Sequence, residues 1–191
     1  MKICVYGLSH LGSVTSACLA SLGHQVISFD DNKTTVKKIK SGVAPIFETG
    51  LDHLIATGIK NKKLSFTNEY EDIPKDIDFA WIAIDTPVND EDIADINYVV
   101  SKIMQLLRYM ESGITVIISS QLPIGSISKI EELTKSQFPE KEFDFVSSPE
   151  NLRLGNAIKI FLEPDRIIIG HREDYNKNKL TKLFRSISKN L

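Results

Sequence analysis

Lys2-Ile-Cys-Val-Tyr-Gly7-Leu-Ser9-His10-Leu11-Gly12, then a helical run to Leu22, then Gln25-Val-Ile-Ser-Phe-Asp30, is the stretch that decides the fold. An apolar run ends at one glycine, a second glycine opens a run of small residues, and an acid closes the next apolar run. This order is the signature of a dinucleotide-binding βαβ unit. Gly7 is expected to turn the chain sharply off the first strand, and Gly12 to let the helix lie close against the sheet, where a side chain would intrude. The loop of Ser9, His10 and Leu11 then brings the helix N-terminus, with its unpaired N–H groups and positive dipole end, up to a pyrophosphate. Asp30 follows at about the twenty-residue spacing of the motif, suited to accept from both ribose hydroxyls and to repel a 2′-phosphate, which favours NAD over NADP. Ser9 replaces the middle glycine of the fingerprint. It adds a Cβ where the backbone approaches the phosphates, but also a hydroxyl able to bond them.

Downstream of Asp30, strands and helices alternate. Helices are expected at Lys33–Lys40, Leu51 to about Ile59, Asp95–Met110, Ser126–Phe138 (with Ser126 as N-cap) and Tyr175–Ile187. Strands are expected at Leu64–Phe66, Ile77–Ile84, Ile114–Ser119, Phe143–Val146 and, last, Arg166–Ile169. Ile77–Ile84 and Ile114–Ser119 are nearly continuous apolar runs, the mark of central strands covered on both faces. Each ends in a polar turn, at Asp85-Thr86-Pro87 and Ser119-Ser120-Gln121, and ligands bind open α/β sheets at the carboxyl ends of their strands. The expected fold is therefore a doubly wound, mostly parallel Rossmann-type α/β sheet with helices on both faces. One domain over 1–191 fits the length, and a hydrophobic content of 42% is enough to fill its core.

A net charge of −2 provides no basic field for nucleic acid or an anionic membrane. No run reaches the roughly 18 apolar residues of a membrane span, and Gly7, Ser9, His10 and Gly12 interrupt what superficially resembles a signal peptide. A cytoplasmic protein is expected. The two cysteines, Cys4 and Cys18, fall at core positions of the first strand and helix and are read as reduced and buried. His10 lies in the phosphate loop, in reach of the cofactor, whereas His24, His53 and His171 are read as solvated. No His/Cys/Asp cluster has metal-ligand spacing.

With those residues in place, the chain resembles the N-terminal domain of the nucleotide-sugar dehydrogenases, the UDP-glucose/GDP-mannose dehydrogenase family, with the UDP-glucose 6-dehydrogenase pattern nearest. The resemblance is carried by Gly7 to Gly12 with Asp30, Pro45-Ile-Phe47-Glu48-x-Gly50-Leu51, Ile84-Asp-Thr86-Pro87, Ala94-Asp95, Ser120-x-x-Pro123-x-Gly125, Pro149-Glu150-Asn-Leu152-Arg153-Leu-Gly155 and Pro164-Asp165-Arg166-Ile-Ile-Ile-Gly170. It implies NAD-dependent oxidation of a sugar C6 alcohol, through an aldehyde, to a carboxylate, with a cysteine holding a thioester. It further implies that Asp30 holds the adenosine ribose, Thr86 contacts the dinucleotide, Gln121 sits near the nicotinamide and Glu150 is the acid-base residue. Asn151, Leu152 and Arg153 would line the nucleotide-sugar site, a UDP-sugar would be the substrate, and the full-length enzyme would be a homodimer.

The chain also departs from the pattern. The family usually has Gly at Ser9 and Asp85, Thr at Gln121, Lys at Thr35, Phe at Asn151 and a second Glu at Leu154. Its nucleophile lies in a downstream Gly-Gly-x-Cys-x-Pro-Lys-Asp segment that is not among these residues, and Cys4 and Cys18 are in core elements. Two functional readings stay open. One is the NAD-binding domain of a nucleotide-sugar 6-dehydrogenase, inactive alone; the other is a non-catalytic or truncated NAD-binding module, completed by a separate chain. A different oxidoreductase using the same βαβ unit is disfavoured by the Pro149–Gly170 match.

Overall fold

A computed structural model describes residues 1–149 and 151–188. In chain order it contains β1 (Lys2–Tyr6), α1 (His10–Ser21), β2 (Gln25–Phe29), α2 (Lys33–Lys40), α3 (Leu51–Lys60), β3 (Leu64–Thr67), a short 3-10 turn (Tyr70–Asp72), β4 (Phe79–Ile82), α4 (Ile96–Tyr109), β5 (Ile114–Ile118), α5 (Ser126–Gln137), β6 (Phe143–Ser147), α6 (Ala157–Leu162) and α7 (Asn178–Ile187). The six strands form one sheet in the order β3-β2-β1-β4-β5-β6, and every named pair is parallel. This is the doubly wound Rossmann-type architecture the alternation implied.

Strand periodicity sends alternate residues of each strand to opposite faces. Ile3, Val5, Phe79 and Trp81 pack with α1, α2, α3, α6 and α7 on one face, while Cys4, Tyr6, Ala80, Ile82, Val116 and Ile118 pack with α4 and α5 on the other. All of β4 and β5 is buried, which explains their unbroken apolar runs. The strand order reverses between β1 and β4, so the turns leaving these two strands part to either side and open a crevice between them.

α1 is buried from Gly12 to Ala20, and its small polar residues turn inward. Ser13 Oγ donates to the Leu8 carbonyl at 3.0 Å, Ser16 Oγ to the Gly12 carbonyl at 2.6 Å, and Ser28 Oγ on β2 to Ser16 Oγ at 2.7 Å. Small residues suit a helix packed this closely on the sheet, where a Cβ on Gly12 would run into the Gly7 carbonyl. α2 is capped by Asn32, which accepts from Thr34 N and Thr35 N, and α4 by Asp95, which accepts from Tyr98 N.

Several elements differ from expectation. Arg166–Ile169 is not a strand. Only Gly170 pairs, antiparallel with Ser147, through two 2.8 Å bonds. Ile167 and Ile169 pack on the α1-side core while Ile168 stays half exposed, so the run has a strand's alternation without its ladder. Ser126 is not an N-cap. It is the first residue of α5, and Gly125, at φ 90°, holds the cap position. β4 is shorter than expected, α7 starts three residues later at Asn178, and α6 had no readable signal. Its six residues are too few to show a period. His24 is buried rather than solvated: its Nε2 lies 2.8 Å from Ser186 Oγ on α7, and burial, then the nearby N-terminal ammonium and Lys63, push its pKa down. His53 and His171 are exposed.

Candidate functional site

The turn after β1 is shaped by sterics. Gly7 has φ 106°, and a Cβ on it would lie 2.6 Å from the Ala83 carbonyl oxygen. Its amide donates to the Phe29 carbonyl at 2.9 Å, which ties the end of β1 to β2. Ser9 occupies the N-cap of α1 without capping it through its side chain, and no acid sits in the first turn. First-turn N–H groups are thus left for an anion, as a dinucleotide pyrophosphate requires. Asp30, at the end of β2, accepts from Leu8 N at 2.7 Å and from Asn32 N at 2.8 Å. Its carboxylate is fixed against the β1–α1 turn and half exposed, in place for a ribose. These residues fit a dinucleotide.

Ser9 Oγ donates to Asp85 Oδ1 at 2.9 Å. The two positions at which the family pattern has glycine are therefore bonded to each other, across the mouth of the crevice. This sets a carboxylate beside the helix end that attracts phosphates, and like charges repel. Asp85→Asn is expected to tighten NAD binding about fivefold, on the order of 1 kcal/mol, with the gain shrinking at high salt. Ser9→Gly leaves NAD binding within about tenfold of the parent. Calorimetric titration of both variants at low and high salt measures these changes, and a weakened Asp85→Asn variant would show that the carboxylate orders the loop instead of opposing the cofactor.

At the β1/β4 reversal a cleft of about 240 Å³ is lined by His10, Leu11, Asp85, Thr86, Gln121 and Leu152. Its rim is stitched by side chains. Thr86 Oγ1 donates to the Gln121 carbonyl at 2.7 Å and Ser120 Oγ to the Ile84 carbonyl at 2.6 Å, locking the turns after β4 and β5 together. A second cleft, of about 790 Å³, holds Asn151, Leu152, Arg153 and Arg166, and shares Gln121 and Leu152 with the first. Expected cofactor and substrate residues thus line two clefts with a common wall. Glu150, the expected acid-base residue, lies outside the described residues. A further cleft of about 790 Å³ beyond β5 and β6 also includes Gln121 but none of the residues of the β1–α1 turn.

Glu48 is the buried acid at this site that sequence reasoning passed over. Its side chain is 1% exposed, yet it accepts from three donors: His10 Nε2 at 3.0 Å, Gly155 N at 2.8 Å and Ala157 N at 3.1 Å. Burial alone pushes a carboxyl up, but the bonds from His10 and the two amides outweigh it and hold Glu48 below its ordinary pKa. The Pro45–Leu51 motif contained Glu48, but a loop acid gives no signal that it will be buried.

A carboxyl with a lowered folded pKa stabilises above its unfolded pKa, near 4.3, and that stability is lost as pH falls through the folded value. Glu48→Gln is therefore expected to cost about 1–3 kcal/mol at pH 7 and to flatten the stability change below about pH 4. Urea unfolding at pH 3 to 7 measures both; an unchanged acid slope would remove Glu48 from this role.

Cys4 and Cys18 are both fully buried, and burial raises the Cys4 thiol to about 12. Among the described residues no three His, Cys, Asp or Glu side chains group as a metal site, and no helix is long and apolar enough to cross a membrane.

Against known proteins, the family model for the "UDP-glucose/GDP-mannose dehydrogenase family, NAD binding domain" matches residues 1–188. The chain is 34% identical over 171 residues to UDP-glucose 6-dehydrogenase of Rhizobium meliloti (strain 1021), covering 89% of this chain and 39% of that protein. Among solved structures, UDP-D-ManNAc dehydrogenase from Pyrococcus horikoshii aligns with TM-score 0.90 at 31% identity, over 99% of this chain and 45% of the other. GDP-mannose dehydrogenase from Pseudomonas aeruginosa, solved as a ternary complex, aligns with TM-score 0.88 at 27% identity, over 100% and 44%. The chain thus spans less than half the length of each of these relatives.

Proposed function

Since the chain belongs to the UDP-glucose/GDP-mannose dehydrogenase family, as its NAD-binding domain, we propose that it forms the cofactor half of an enzyme that oxidises the C6 alcohol of a nucleotide sugar to the uronic acid. We read residues 1–191 as a single Rossmann-type domain and a UDP-sugar as the substrate. One observation carries the reading: the cleft at the β1/β4 reversal shares Gln121 and Leu152 with a cleft holding Arg153 and Arg166. Planar guanidinium groups suit the diphosphate of a nucleotide sugar, and the shared wall lets the sugar end reach the cofactor.

When bound, NAD supplies the electron acceptor for each of the two oxidations. The chain's own residues bind and position. Gly7, Leu11 and Gly12 shape the pyrophosphate turn, with Ser9 at the N-cap of its helix; Asp30 holds the ribose. Thr86 braces the Gln121 turn beside the nicotinamide, and Asn151 to Arg153 receive the nucleotide sugar. Glu150 serves as acid-base residue in this proposal. The thioester cysteine is assigned to sequence outside these 191 residues, because buried Cys4 and Cys18 lack the exposed thiolate a nucleophile needs. The reading carries with it a homodimeric full-length enzyme in the cytoplasm, where buried cysteines such as Cys4 and Cys18 are at home.

The test has two arms. The 191-residue chain is expected to bind NAD, to prefer it to NADP, and to form no sugar acid from any nucleotide sugar. The intact polypeptide that carries it is expected to reduce NAD in the presence of a UDP-sugar, and Glu150→Gln to slow that about 10²- to 10⁴-fold. Steady NADH formation by the 191-residue chain with both cysteines changed to serine would overturn the reading.

A further inference from the structure

We propose that Asp31 is a second determinant of the preference for NAD, a positioning residue that holds the Lys102 ammonium away from the ribose edge where a 2′-phosphate would sit. The dinucleotide part of the reading above is the premise, and no choice of sugar enters.

Two carboxylates follow one another past the end of β2 and part to different sides. Asp30 faces the β1–α1 turn, where Leu8 N and Asn32 N fix it. Asp31 faces the α4 side of the sheet and is met there by three donors. Tyr6 Oη, on β1, donates to its Oδ2 at 2.7 Å, and Tyr70 Oη, in the 3-10 turn, to its Oδ1 at 3.2 Å. Lys102 Nζ, on α4, donates to Oδ2 at 2.6 Å.

This acceptor is held still because its tyrosines are. Tyr6 is 2% exposed. Phe29, the last residue of β2, meets the Tyr6 ring edge-on at 4.9 Å and lies tilted against Tyr70 at 4.3 Å, and Tyr70 stacks on Tyr109 at 4.7 Å. Burial above all pushes the Tyr6 hydroxyl up and the Tyr70 hydroxyl up to about 12, so both keep their protons and remain donors.

Lys102 is confined in turn. Its side chain is 20% exposed, and its ammonium lies 5.5 Å from the centre of the Tyr98 ring. The bond to Asp31 is the largest influence raising its pKa, and the charge of Asp30 adds a smaller one. The ammonium is therefore charged and feels the acid that faces the ribose, yet it is bonded to the neighbouring acid.

A 2′-phosphate is a dianion and calls for a cation with N–H donors beside the ribose. A lysine, with a point charge on a flexible four-carbon stem, can supply one. Lys102 is kept from doing so, because leaving Asp31 would strand an unpaired carboxylate close to the incoming dianion. NAD preference then has two layers. Asp30 bonds the ribose hydroxyls and repels a phosphate; Asp31 detains the cation that would otherwise receive it. An exposed ion pair serving stability alone is worth little, whereas this one is anchored through two packed tyrosine rings to the ends of β1 and β2.

Calorimetric titration of NAD and NADP into the 191-residue chain tests this, with thermal melts to confirm that each variant folds. Asp31→Asn keeps an oxygen for the tyrosine hydroxyls and removes the charge that holds Lys102. In an Asp30→Ala background it is expected to raise the ratio of NADP to NAD affinity about 10- to 100-fold over Asp30→Ala alone, the effect of one charge-assisted bond to phosphate. The gain should shrink at high salt. Adding Lys102→Met is expected to return the ratio to that of Asp30→Ala. Asp31→Ser replaces Asp31→Asn if the latter does not fold. A ratio within twofold of Asp30→Ala in a folded variant overturns the assignment. So does a gain that survives Lys102→Met, since Asp31 would then act by its own charge and not through the lysine. A parent chain that binds neither dinucleotide overturns the cofactor reading itself.

Discussion

Gly12→Ala is expected to lower the melting temperature by about 6–12 °C and to remove measurable NAD binding. A Cβ at Gly12 would lie 1.8 Å from the Gly7 carbonyl oxygen and 2.7 Å from its carbon, contacts that no side-chain rotation relieves because both atoms are backbone. Either α1 lifts off the sheet or the Gly7 turn opens. α1 is buried over nearly its whole length, so displacement strains many contacts at once; overpacking of a tight core costs roughly 3 kcal/mol or more in such a place. At about 2–4 °C per kcal/mol for a domain of this size, the melting shift follows. Binding fails separately, since the first-turn N–H groups leave the position in which a pyrophosphate meets them. Gly23→Ala is the control: nothing lies within 4 Å of its added Cβ, and only its φ of 92° opposes the change. Thermal melts and calorimetry on the two variants decide the point, and a Gly12→Ala protein that melts within about 2 °C of the parent would sink it.

The same geometry explains what could be read without a structure. The glycine spacing at 7 and 12, the acid at 30 and the unbroken apolar runs of β4 and β5 are local patterns, and each follows from a steric or burial demand on its own segment. Arg166–Ile169 shows where local pattern fails: an alternating apolar stretch became a covering segment because its one pairing, Ser147 with Gly170, depends on where β6 ends. The site divides likewise. The placement of Asp30, Thr86 and Gln121 just past the carboxyl ends of β2, β4 and β5 was legible because each follows an apolar run, and such ends are where open α/β sheets bind ligands. The Ser9–Asp85 bond, the His10–Glu48 pair and the Glu48 bonds to Gly155 and Ala157 were not, because each joins segments far apart in sequence. Ser9 and Asp85, read singly, were two losses of glycine. Joined, they are one polar contact across the crevice.

Asp30→Ala is expected to weaken NAD binding by about 10²- to 10⁴-fold and to erase most of the preference over NADP. The carboxylate is already oriented by Leu8 N and Asn32 N, at 2.7 and 2.8 Å, so it would meet a ribose without rearrangement. Two charge-assisted bonds to the ribose hydroxyls, at roughly 1.5–3 kcal/mol each, account for the loss. NADP should lose far less, because a 2′-phosphate gains relief from repulsion as it loses a partner. Among the described residues, the lysines near the end of β2 are engaged elsewhere. The Lys102 ammonium donates to Asp31 at 2.6 Å, and that bond, with a smaller attraction from Asp30, holds its pKa above the ordinary lysine value. Lys33 is exposed and faces Glu69 at 3.8 Å. Titrating NAD and NADP into Asp30→Ala and Asp30→Asn, with melts to separate damage to the Leu8 turn from loss of the ribose contact, checks the claim. NAD affinity within threefold of the parent in a variant that melts normally would take the ribose away from Asp30.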